Sequence, residues 1–442
     1  MKLAIVVQRY GADINGGAEL HARYVAEHLA RHADVRVLTT CARDYLTWRN
    51  EYPPGADAVN GIAVERFQVA HERDEADFGL RSDHVFFRRH SLNEELEWLD
   101  SEGPACPSLI SRLQTAGQEF DFVLLFCARY YHAYYGARVM ADRAVLVPTA
   151  ERDPAVALSM FGPVFRGVRA VMYNSPEEQR LIHAASSNDD VPGVVVGIGS
   201  DIPSSVDPER AKRMFGLERP YILYVGRIDA NKGCAELFDF FTRFAAARTE
   251  PVTLALVGKA VLQVPNHPAI RHLGFLDDPD KFDLIAGAAA LVMPSYYESL
   301  SMVALEAWAV GTPVIANARC DVLLGQCLRS NAGLYYTTAE EFEAVLEKLL
   351  DDSAISAWLG RNGRMFYDQN YSWPVIERKY LDMFTRLSAD PPRHRMEKLP
   401  GWIGRRQRSL RAAAQVLDDL PSGPAIESHD AQDGTAASGA IA

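Results

Sequence analysis

The stretch from Leu291 to Asn317, LVMPSYYESLSMVALEAWAVGTPVIAN, leaves a folding chain few options. It opens with an apolar run that reads as the end of a buried strand and turns at Pro294 and Ser295. It then enters an Ala/Leu-rich segment with helical character. Gly311, Thr312 and Pro313 stop that helix, and Val314 and Ile315 begin another strand. Strand, helix, strand in so short a span is the unit from which layered α/β proteins are built. The alternation recurs. Leu3 to Val7 is followed by Gly11, Gly16 and Gly17 and a helical pattern from Glu19 to His32. Further short strands are expected at Ile62 to Phe67, Phe122 to Phe126, Ala144 to Val147, Val168 to Tyr173 and Val252 to Val257, and in the segment YILYVGRIDANKG.

A chain of 442 residues exceeds one ordinary core and points to two or three domains. Its composition, 48% hydrophobic and 24% charged, is that of a soluble globular protein, and a net charge of -12 argues against nucleic acid as a partner. Six scattered cysteines form no C-x-x-C pair, so reduced thiols are expected and neither zinc nor redox work is indicated. The apolar start is broken at Gln8 and Arg9, too early for a signal peptide, and no run is long enough to span a bilayer. The protein is expected to stay on the cytoplasmic side.

Two groups of residues carry chemistry. In GRIDANKG, Gly226 and Arg227 end a strand and Lys232 lies in the loop before a helix. The P-loop pattern is absent, and what remains is two cations at a strand's C-terminal edge, suited to a pyrophosphate. The second group is Glu298 and Glu306. Were both on one helix, they would lie about 12 Å apart along its axis and about 80° apart around it. That exceeds the roughly 5 to 9.5 Å of a carboxyl pair working on one bond. It suits one elongated ligand held at two points. The Gly16–Gly17 turn offers backbone N–H groups at a helix start, but without G-x-G-x-x-G or an acidic residue after the next strand a nicotinamide dinucleotide is a poor fit.

From PS through E-x7-E to GTPV, and again in GR-x4-KG, the chain resembles the retaining nucleotide-sugar glycosyltransferases of family 4, glycosyl transferases group 1. The resemblance covers residues 1 to about 387 and is specific in the second half. It implies a GT-B fold: two Rossmann-like doubly wound α/β domains facing across a cleft. Residues 1–200 would form the acceptor-side domain and 201–370 the nucleotide-sugar domain. Residues 371–388 would close back on the first domain, and a basic, low-complexity tail would occupy 389–442. It also implies that Glu298 meets the donor sugar and Glu306 the ribose, while Arg227 and Lys232 hold the diphosphate. On this basis Glu298, Arg227 and Lys232 are the catalytic candidates. Gly17, Gly226, Phe275, Ser299 and Leu300 complete the donor site.

Relatives often have a histidine in the turn that reads VPTAERDPA here, and the matching position is Glu151. Glu151, Asp153 and Tyr131, the last from the tyrosine-rich CARYYHAYYG, are the acceptor-side candidates. The implied reaction moves a sugar from a nucleotide-diphospho-sugar to a saccharide or lipid-linked acceptor with retention, without cofactor or metal, in polysaccharide or glycolipid assembly. The rivals are an epimerase or phosphorylase on the same architecture and a nucleotide-sugar binding protein without catalysis. Beyond Ala389, seven Arg and Lys residues surround Trp402, Ile403 and Leu410. That composition reads as a solvated tail or as a contact with anionic lipid at the inner membrane face.

Overall fold

The computed structural model describes residues 1–116, 118–391 and 396–400. Two sheets organise them. The first contains β1 (Lys2–Val7), β2 (Asp34–Thr40), β3 (Gly55–Val59), β4 (Ile62–Phe67), β5 (Phe122–Phe126), β6 (Ala144–Val147), β7 (Ala170–Tyr173) and β8 (Gly193–Val195), in the order β3-β4-β2-β1-β5-β6-β7-β8. The second contains β9 (Tyr221–Val225), β10 (Thr253–Val257), β11 (Ile270–Gly274), β12 (Ala290–Met293), β13 (Val314–Asn317) and β14 (Gly333–Tyr336), in the order β11-β10-β9-β12-β13-β14. All pairings are parallel except β3 with β4. Parallel sheets are covered by helices on both faces, which is why β1, β5, β9 and β12 read as continuous apolar runs and are almost wholly buried.

Both sheets are doubly wound. From β1 the chain builds outward through β2 to β4, then returns to add β5 to β8 on the other side; from β9 it does the same with β10, β11 and then β12 to β14. At such a reversal, neighbouring connections leave on opposite faces. A crevice opens at the strands' C-terminal ends.

The last two helices serve different sheets. Ser353–Asn370 lies against the second, where Gly363 leaves room for the Trp308 indole. Trp373–Ala389 lies against the first. Its Phe384 stacks on Phe122 with centroids 5.1 Å apart, its Trp373 stacks on His28 at 3.5 Å, and Arg169 donates to the Leu387 carbonyl at 2.6 Å.

Three local expectations change. The helix expected to carry Glu298 and Glu306 together is Met302–Ala309, because the Ser301 hydroxyl accepts from the Ala304 N–H and starts it there. Glu298 therefore sits in the preceding loop, and the helical rise does not set its distance from Glu306. The hairpin strand β3, not anticipated, is joined to β4 by Asn60 and Gly61, both at positive φ, the signature of a tight turn matched to strand twist. The tyrosine-rich stretch forms the helix Tyr131–Val139, with Tyr134 fully buried and Tyr131 packed on Tyr135 at 4.6 Å. All six cysteines are free and buried. Apart from residues 389–391 and 396–400, the basic tail lies outside the described residues.

Candidate active site

The C-terminal ends of the two sheets face one cleft of about 860 Å3. Its second-sheet wall is built from three connections. After β9, the loop from Gly226 to Gly233 is held by Asp229, which accepts the Lys232 N–H at 2.8 Å and pairs with the Arg227 guanidinium. Gly233 has φ of 71°, and a Cβ there would lie 2.1 Å from the Pro294 carbonyl oxygen. Glycine alone lets this loop press against the turn that follows β12. The result is a direct contact between the two motif residues: Lys232 Nζ lies 2.8 Å from Glu298 Oε1. Burial works against the Lys232 charge, but the carboxylates of Glu298 and Glu151 outweigh it and hold the ammonium above its ordinary range.

Glu306 is buried on the helix Met302–Ala309, where Lys281 Nζ lies 3.1 Å from its Oε2 and 2.9 Å from Asp278. Burial raises its carboxyl's proton affinity, and the Lys281 ammonium partly offsets this. Ser299 accepts from Asn174 Nδ2 at 3.4 Å, linking the loop after β7 to the loop after β12. Leu300 is buried in the cleft wall, Gly226 lies at its rim, and Phe275 is 67% exposed beside it.

The wall contributed by the first sheet differs. Arg9, two residues beyond β1, is buried against Glu19 at 2.6 Å, and Gln8 Nε2 donates to the same carboxylate at 2.9 Å. Glu19 folds back over the helix start so closely that a Cβ on Gly16 would lie 2.2 Å from its Oε2. Gly16 is therefore a packing requirement, whereas Gly17 has nothing within 4 Å of where a Cβ would stand and faces the opening. Arg129 pairs with both Glu102 and Asp153 at 2.7 Å. Asp153 also caps the short turn Pro154–Ala157.

Residues 205–366 match the family model for glycosyl transferases group 1. Along 409 residues the chain is 24% identical to the glycogen synthase of Mycobacterium tuberculosis, covering 85% of this chain and 92% of that one. Sucrose-phosphate synthase from Thermosynechococcus elongatus has a similar structure, with a TM-score of 0.64 and 18% identity over 88% of this chain and 99% of that one. So does Anabaena HepE, solved in complex with UDP-glucose, with a TM-score of 0.62 and 17% identity over 87% of this chain and all of that one. The chain carries a group 1 glycosyl transferase segment over residues 205–366 and is similar to these relatives along both sheets. Its fold is GT-B, and it is an enzyme that transfers sugars.

In this glycosyltransferase the cleft brings together every site residue expected from sequence except one. Tyr131 does not line it. The side chain is taken up by Tyr135, and Tyr130 faces the cleft instead. Sequence reasoning missed Asp229, Lys281 and Glu178. The first had a local signal, an acidic residue three before Lys232 in a tight loop. Lys281 had none, since its relation to Glu306 is tertiary. Glu178 is fully buried beneath the cleft. Its Oε1 accepts the Ala150 N–H and its Oε2 the Asn174 N–H, both at 2.5 Å, so one carboxyl ties together the loops after β6 and β7. Burial pushes that carboxyl up to about 8 against the pull of these two donors. Among the described residues, no cluster of His, Cys, Asp and Glu has the arrangement of a metal site, and no helix is long and apolar enough to cross a membrane.

Proposed function

We propose that this enzyme transfers a sugar from a nucleotide-diphospho-sugar to a hydroxyl acceptor, with retention at the anomeric carbon. The single observation that carries the reading is the Lys232–Glu298 contact beside Arg227, with the Lys281–Glu306 pair in the same cleft. A diphosphate seated between Arg227 and Lys232 is a leaving group whose developing charge meets preorganised cations. Glu298, relieved of Lys232 as the ammonium turns to the phosphate, accepts from sugar hydroxyls and fixes the ring. Glu306 is placed for the ribose.

Glu298 and Glu306 grip separate points of the ligand, so front-side displacement fits better than a covalent intermediate. The bond between the anomeric carbon and the phosphate oxygen breaks, and the acceptor oxygen bonds to the same face. The acceptor's proton passes to the departing phosphate oxygen. The two cations serve here without a divalent ion, and undiminished turnover in EDTA is the expected result.

Relatives that make glycogen and bind UDP-glucose support a sugar nucleotide as donor and a saccharide as acceptor. The reading includes polysaccharide or glycolipid assembly at the cytoplasmic face of the membrane. The test is a melting-temperature panel with UDP, GDP, ADP and dTDP, followed by product analysis with the preferred base. Ligand at a hundred times its dissociation constant stabilises by about 2.7 kcal/mol, which is easily seen. No response to any of the four, or a product of inverted anomeric configuration, contradicts the proposal.

A further inference from the structure

Glu151 stands apart from the other acids of the cleft. Glu298, Glu306, Glu19, Asp153 and Asp278 each lie beside a cation. The Glu151 carboxyl lines the cleft and, among the described residues, has no hydrogen bond or direct ion pair. It lies in the field of four charged neighbours, Lys232, Glu298, Asp153 and Arg129, and its own charge adds to the raised proton affinity of Glu178 beneath the loop. Both cations are already engaged, Lys232 by Glu298 and Arg129 by Glu102 and Asp153. Counting Glu151 itself and the Glu102 that shares Arg129, the group holds four carboxylates and two cations, while Arg227 and Lys259 line the cleft where a diphosphate is to be neutralised.

The loop that presents Glu151 is also held in an unusual shape. Thr149 has φ of 49°, rare for a β-branched residue, and the next N–H, that of Ala150, is fixed by Glu178. Sparsely populated backbone of this kind clusters at ligand sites, and this turn ends in an unpaired carboxylate that lines the cleft.

Resting on the reading of this cleft as a sugar-nucleotide site, we propose that Glu151 selects the donor sugar by charge. It accepts a hydrogen bond from a sugar hydroxyl and turns away donors whose sugar bears a carboxylate. A neutral hexose supplies the donor hydrogen that the lone carboxylate lacks. A hexuronate brings another anion to a place where anions already outnumber cations and no cation is free to receive it. The imbalance grows when Lys232 turns to the diphosphate. Burial, with Glu298 and Asp153 adding to it and Lys232 and Arg129 opposing, raises the proton affinity of the Glu151 carboxyl. Lowering the pH should protonate it early and relax the selection.

The experiment is calorimetric titration of the full chain with UDP, UDP-glucose and UDP-glucuronate, and with GDP, GDP-mannose and GDP-mannuronate. It is done for the native protein and for Glu151→Gln and Glu151→His. The expected result is that the hexose donor binds at least tenfold more tightly than its uronate counterpart. Both substitutions should shrink that ratio to threefold or less while the affinity for the nucleoside diphosphate alone stays within twofold. Below pH 7, where the buried Glu178 carboxyl already holds its proton, the native ratio should also fall as the pH is lowered further, and that of Glu151→Gln should not. Equal binding of hexose and uronate by the native protein, or a ratio unchanged in both variants, overturns the inference and leaves the sugar-nucleotide reading standing. Failure of UDP and GDP alike to bind overturns both.

Discussion

Arg9 and Arg227 occupy the same place in two copies of one topology. Each lies two residues beyond the first strand of a doubly wound sheet, β1 in VVQR and β9 in YVGR, and the guanidinium of each lies over the ring of Tyr45, at 5.5 and 5.6 Å. Their partners separate them. Arg9 is enclosed by Glu19, which Gln8 also holds, and by the Arg43 carbonyl. Arg227 pairs with Asp229 and takes the Tyr45 hydroxyl at 2.9 Å, but its side chain remains 40% exposed toward the cleft. Where the carboxylate reaches in from a neighbouring helix and closes over the cation, the charge is spent on holding the wall together. Where it comes from the same loop, the charge is oriented and left open. Both arginines line the cleft, but only Arg227 keeps an open side toward it.

Four substitutions can break or sharpen that contrast. The largest effect on folding is expected from Glu19→Ala, which strands Arg9 in a buried position. Loss of one partner of such a pair costs about 3–5 kcal/mol, readable as a shift in the urea midpoint. A variant as stable as the native chain would show that the first wall's charges are not structural.

Lys232→Ala should cost less stability than Glu19→Ala, since its pair with Glu298 is the more exposed of the two, and should lower turnover by about a hundredfold or more, the usual cost of removing one preorganised charge contact. If turnover is instead near native, the open wall is not where the leaving group is stabilised. Glu306→Gln removes a charged acceptor, for which about 1.5–3 kcal/mol is typical. That corresponds to roughly tenfold or more weaker binding of the preferred nucleoside diphosphate, with the ratio of hexose to uronate donors unmoved. The smallest change is expected for Tyr45→Phe. Losing a single uncharged hydroxyl contact to Arg227 is worth about 1 kcal/mol, hence a change of a few fold in donor affinity. Here the sign is informative, because tighter binding would mean that the hydroxyl holds Arg227 away from the ligand.

Much of this was legible in the chain. The second sheet announced itself because its strands are apolar throughout and its functional loops keep motif spacing within one connection each, as in GRIDANKG and the stretch from Pro294 to Pro313. Other features were legible but passed over. The Asn60–Gly61 pair between two short runs is a strong hairpin signal, and Ser301 three residues before Ala304 marks a helix start that excludes Glu298. What no local pattern could give is the first wall. Glu102 reaches Arg129 and Glu178 reaches Ala150 across intervals that only the folded sheet closes. The tyrosine stripe shows the limit from the other side. Helical spacing placed Tyr131 correctly on a helix, but which face of that helix meets the cleft is decided by tertiary packing, as of Tyr134 on Phe161, while Tyr131 packs on Tyr135.

The chain passes between the two sheets twice, once in the segment after β8 and again between the last two helices, and these passages touch. Lys379 Nζ donates to the carbonyls of Val196 and Asn370, the Tyr367 hydroxyl to that of Ser200, and a Cβ on Gly199 would lie 2.7 Å from the Trp373 ring. The two passages are therefore braced on each other, and the joint between the sheets rests on Trp373, Tyr367 and Lys379, far along the chain from Lys232 and Glu298.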